Sequence, residues 1–109
     1  MKCYSMVEVW GKGADNVGVT NFTKAKDAVL WLTDWLRQFG CLDERDNVVK
    51  NVDHPMSVKE LFQELLETGW DYSCVCDGSF CKLSIFDTIS MFKAGKIKSL
   101  VEEIEKIEL

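Results

Sequence analysis

The sequence predicts an α+β fold: an antiparallel sheet of about four strands, packed on one face by three or four helices, in the order ββααββα. Three observations carry this expectation. Residues 3–10 alternate at the period of a strand, two later segments repeat apolar residues at helical spacing and stop at a glycine, and Asp77-Gly78 sits between two alternating runs. At 109 residues, the chain is the size of a single domain, 1–109, with one core.

The first strand places Cys3, Val7 and Val9 on one side and Tyr4, Met6 and Trp10 on the other. Neither side is clearly polar, so cover on both faces is expected. Gly11 to Asn16 is turn chemistry, and Val17 to Phe22 returns as a second strand. Thr23 is the predicted N-cap of a helix over residues 24–39, closed by Gly40. Ala25, Ala28, Val29, Leu32, Trp35, Leu36 and Phe39 form its inner stripe. At about 100° per residue, Leu30 falls opposite that stripe among Lys26, Asp27, Asp34 and Arg37, with Trp31 on the flank.

Residues 41–56 read as a polar connection with a short Val48-Val49 segment. The next helix is the best signposted. Ser57 and Glu60 make a capping box, Met56 and Leu61 can close a hydrophobic staple, and Gly69 supplies the left-handed stop, with Trp70 able to fold back on Leu65. Residues 70–86 read as a hairpin whose Asp-Gly turn sets Cys76 against Ser79, Val75 against Phe80, Cys74 against Cys81 and Tyr72 against Leu83. From Asp87 the tail reads as helix with a break near Ala94-Gly95, Ile97, Leu100, Val101 and Ile104 facing inward and Glu102, Glu103, Glu105 and Glu108 outward.

Composition limits the function. The formal net charge is −5, which argues against a binder that tracks nucleic-acid phosphates with Lys and Arg. The same charge suits a basic protein partner. The first six residues are too polar for a signal-peptide core, and the longest apolar run, Ala28 to Leu32, is far short of a membrane span. No membrane partner is therefore expected. Five cysteines, an odd number, fit free thiols in a reducing cytoplasm.

Chemistry-bearing residues are few. Cys74, Cys76 and Cys81 share one hairpin face, but zinc needs a fourth ligand and there is no second knuckle, so packing thiols are the expected reading and metal or redox roles are remote alternatives. His54 is the sole histidine and precedes Pro55 in a polar loop, a poor setting for a general base. Gly11-Lys12-Gly13 lacks the Gly-Lys-Ser/Thr ending of a phosphate loop. No cofactor, metal or catalytic residue is expected.

What remains is surface. Trp10, Leu30, Trp31 and Phe80 are candidate exposed anchors, and Asp27, Asp34, Glu102 and Glu103 a candidate acidic rim. The expected function is non-enzymatic: a protein-binding inhibitor of a basic, nucleic-acid-handling protein, without direct nucleic-acid contact. In size, acidity and lack of catalytic motif alone, the chain is similar to small inhibitors such as toxin-immunity and anti-CRISPR proteins. A homo-oligomeric accessory subunit is the alternative, followed by a small cysteine-based metal or redox protein.

Overall fold

The alternation of residues 4–11 becomes β1 (Tyr4–Gly11), and the sheet is assembled on both of its edges. The computed structural model of the chain describes residues 3–11, 16–76 and 79–88, apart from the side chains of Cys76, Ser79 and Phe80. The element order is β1, β2 (Asn16–Phe22), α1 (Ala25–Gln38), β3 (Asn47–Val48), β4 (Met56–Ser57), α2 (Val58–Thr68), β5 (Tyr72–Cys76) and β6 (Ser79–Asp87). Four strands form an antiparallel sheet in the order β2-β1-β6-β5, and β3 and β4 make a separate two-stranded ladder.

The class is therefore α+β with a four-stranded antiparallel sheet, as the alternation and the turn predicted. One detail differs: among the described residues there are two helices, both at expected places, while the short β3–β4 ladder adds a second sheet within the segment read as a polar connection. The helix expected after Asp87 lies outside the described residues. Asp87 itself is still strand, paired with Tyr4 and buried, and Thr88 N–H donates to the Cys3 carbonyl at 3.1 Å.

Pleating gives the sheet two unlike faces. Tyr4, Met6, Tyr72, Cys74, Cys81, Leu83 and Ile85 are buried beneath the helices together with Ala28, Leu32, Trp35 and Leu36 of α1 and Val58, Leu61, Phe62 and Leu65 of α2. The opposite face keeps Val17, Val19 and Val75 in water, with Lys82 paired to Asp71 at 2.7 Å and Ser84 also donating to Asp71. Among the described residues the helices cover one face only.

The ends of the helices follow from local chemistry. Ser57 Oγ accepts from Glu60 N–H at 3.1 Å, satisfying one of the N–H groups that open α2. Gly69, at φ +71°, closes α2 by donating to the Leu65 carbonyl. Gly40, at φ +67°, ends α1, and Cys41 N–H reaches back to the Leu36 carbonyl at 2.9 Å. Thr23 is not the N-cap of α1. Lys24 takes that position without a side-chain bond, and the helix begins at Ala25. In the connection, Asp43 accepts from Arg45 N–H and Asn47 N–H, both at 2.9 Å, and the Asn47 bond heads the causes that hold its carboxyl below the ordinary aspartate range.

Candidate functional site

The strand register decides what stands beside α1. Glu8 has the same phase as Met6 and Trp10, so it faces the helices, and its partner on β2 is Gly18. A Cβ at position 18 would lie 3.1 Å from Glu8 Oε1 and 3.1 Å from Trp10 Cζ3. The missing side chain of Gly18 is therefore the space in which the Glu8 carboxylate and the Trp10 ring meet.

Across from them, α1 presents Trp31, Asp34, Trp35 and Gln38. These residues recur at three- and four-residue spacing, so they lie along one side of the helix. Trp35 Nε1 donates to Glu8 Oε2 at 2.9 Å, joining helix to strand. Trp35 also packs on Phe39 at 4.8 Å between ring centroids and meets the edge of Tyr72 at 6.2 Å. Trp31 leans on Phe22 of β2 at 6.4 Å and stays half-buried. Glu8, Trp31, Asp34, Trp35 and Gln38 enclose a cleft of about 190 Å³.

The chemistry of this cleft suits a cation. Indole faces attract guanidinium and ammonium groups, and two carboxylates in a partly enclosed space reinforce that attraction. Glu8 is held in place by the indole N–H of Trp35. Asp34 is exposed, and its Oδ1 accepts from Arg37 at 3.2 Å, while Arg37 also bonds Asp46 at 3.2 Å. Arg37 already shows that a guanidinium is accommodated at this carboxylate.

Of the surface residues expected from the sequence, the structure gathers Trp31 and Asp34 into the cleft and brings Trp10 against Glu8 at Gly18. Leu30 is 55% exposed and follows Asp27 by three positions on the outer side of α1, one turn from the cleft. Phe80 pairs with Gly11 and Val75 in the sheet, and its side chain lies outside the described set. Glu102 and Glu103 lie outside the described residues. Sequence reasoning missed Glu8, and it placed Trp35 in the core without its polar bond. The available signal was a lone carboxylate at the apolar phase of a strand.

The other candidates are plainer. Cys74 and Cys81 face one another as buried cysteines on neighbouring strands, and Cys41 is buried near Tyr72. Burial first, and the Cys41 thiol second, push the Tyr72 phenol above its ordinary value. Among the described residues no three His, Cys, Asp or Glu side chains come together around a metal-sized space. His54 lines a cleft of about 290 Å³ with Asp53, Glu64 and Trp70, and no cysteine or serine shares its walls. Among the described residues no helix is long and apolar enough to cross a membrane. Compared with known proteins, the chain matches no protein family, no curated protein and no solved structure.

Proposed function

We propose that this chain is a non-enzymatic binding protein that antagonises a basic, nucleic-acid-handling protein in the cytoplasm, seating an Arg or Lys side chain of that partner against α1. The single observation that supports this reading is the convergence of Glu8 and Asp34 with Trp31 and Trp35 in one cleft. Leu30, exposed one turn away, supplies an apolar anchor at its rim, and Asp27 adds charge. The net charge of −5 steers a basic surface toward the protein, and fixed carboxylates compete for the groups that would otherwise hold phosphates. The inhibitory role resembles that of small acidic immunity-type and anti-CRISPR-type proteins. The cytoplasmic placement rests on the five cysteines.

The test is a titration with an arginine-rich peptide and, in parallel, a glutamate-rich peptide of equal length, read by indole N–H resonances and tryptophan fluorescence. Binding of the basic peptide alone is expected, weakening at high salt, with about tenfold or greater loss of affinity in the paired variant Glu8→Gln and Asp34→Asn. Equal response to both peptides, or binding indifferent to salt and to the paired variant, would sink the proposal.

A further inference from the structure

The two carboxylates of the α1 cleft are held in unlike ways. Glu8 accepts the indole N–H of Trp35 at 2.9 Å, a donor without charge. Asp34 meets a cation: Arg37, one turn further along α1, places Nη1 3.2 Å from Asp34 Oδ1. The same guanidinium places Nη2 3.2 Å from Asp46 Oδ1. Asp46 is fixed by its turn. It stands at φ +60°, its N–H donates to the Asp43 carbonyl at 3.1 Å, and its neighbour Asn47 opens β3. One guanidinium thus serves two carboxylates through two different nitrogens, and the trio carries one net negative charge.

Resting on the reading of this cleft as a cation site, we infer that Arg37 is a built-in competitor for it, which a partner's guanidinium displaces from Asp34 and which Asp46 retains. A carboxylate that already faces a guanidinium attracts a second cation weakly, because the two cations repel across it. Arg37 gives up only one of its two bonds when it yields, since Nη2 stays on Asp46. Two guanidiniums and two acceptors of Arg37 then stand as two pairs, where one guanidinium had been shared. The incoming group gains Asp34 from Arg37 and Glu8 from β1, both of which line the cleft. Side-chain exposure is 56% for Arg37, 80% for Asp34 and 58% for Asp46, so water reaches all three and each bond is weak enough to exchange. The role assigned to Arg37 is control of affinity, beyond any tie between α1 and the Asp46 turn.

Titration of the full chain with the arginine-rich peptide, arranged as a double-mutant cycle, tests it. Arg37→Gln should tighten binding about two- to fivefold, the range that one exposed ion pair can supply. In an Asp34→Asn background the same substitution should leave affinity unchanged, because the competitor has nothing left to contest. Asp46→Asn should weaken binding about twofold in the native chain and not in the Arg37→Gln background, since Asp46 acts only through Arg37. Lys59→Gln, at an exposed position of α2, changes net charge equally and should tighten binding less than Arg37→Gln does. A gain from Arg37→Gln that persists with Asp34→Asn, or that Lys59→Gln matches, would overturn the inference and leave the cation site standing. Weaker binding by Arg37→Gln would also overturn it, making Arg37 a support of Asp34. Failure of every variant and of the native chain to bind the peptide would sink the cation-site reading itself, and the inference with it.

Discussion

The two helices share a plan and differ in how they are finished. Each buries a one-sided apolar stripe against the same face of the sheet. α2 opens on a serine cap, closes on a left-handed glycine and turns Lys59, Glu60, Gln63 and Glu67 to water. α1 opens at Lys24 with no side-chain cap, exposes Leu30, leaves Trp31 half-buried and ties Trp35 to a carboxylate on β1. A helix satisfied at its own ends with a plain polar outer side is scaffold. One that departs from its amphipathic pattern on the outer side, and leans on a neighbouring strand for a polar bond, is the helix on which the proposed site rests.

The largest expected effect tests the bond that sets α1 apart. Glu8→Ala removes the acceptor of the part-buried Trp35 indole N–H and should cost about 1–3 kcal/mol in chemical denaturation, whereas Glu8→Gln keeps an acceptor and should cost less than half as much. Equal costs for the two variants would mean that the Glu8–Trp35 contact does not anchor the helix.

A smaller effect separates the helix starts. Ser57→Ala should destabilise by about 1 kcal/mol and Thr23→Ala by less than about 0.5 kcal/mol. If Thr23→Ala proved as costly as Ser57→Ala in thermal melts, α1 would be capped after all and the contrast with α2 would fail.

An effect of similar size, with a pH dependence of its own, concerns Tyr72, whose ring meets those of Trp35 and Trp70. Its phenol is raised above the ordinary value of about 10, so its contribution is fully present below that value and is lost as pH rises toward the raised one. Phenolate absorbance should show Tyr72 ionising only with unfolding. Tyr72→Phe should remove that alkaline loss while costing about 1 kcal/mol for the bond to the Lys50 carbonyl. Ionisation of Tyr72 in the folded protein near its ordinary value would contradict the burial of this junction.

Much of the fold was legible because its causes are short-range. The Ser57–Glu60 cap needs three residues of context, and the glycine stops need one helical turn. The hairpin register follows from a two-residue turn: Cys74 meets Cys81 and Tyr72 meets Leu83 as expected. The misread start of α1 has a physical reason. Thr23 offers a hydroxyl, but the chain leaving β2 at Phe22 becomes helical only at Ala25, so Lys24 occupies the cap. Only part of the candidate site was legible. Leu30 stood out as apolar on a polar helix face, with Trp31 on the flank and Asp34 in the acidic rim, while Glu8 is set beside that helix by a strand distant in sequence.

By itself, the sequence determined the α+β class, the caps and stops of α2, the stop of α1, and the pairing of β5 with β6. Each of these is settled by neighbours within a turn or a hairpin. Tertiary structure alone decided that β6 docks on β1 to put β2 and β5 at the edges, that Glu8 bonds Trp35 across 27 positions, and that Gly18 is a vacancy shared by Glu8 and Trp10. Those outcomes depend on which surfaces meet after collapse, and pairings between distant segments leave no local pattern from which to read them.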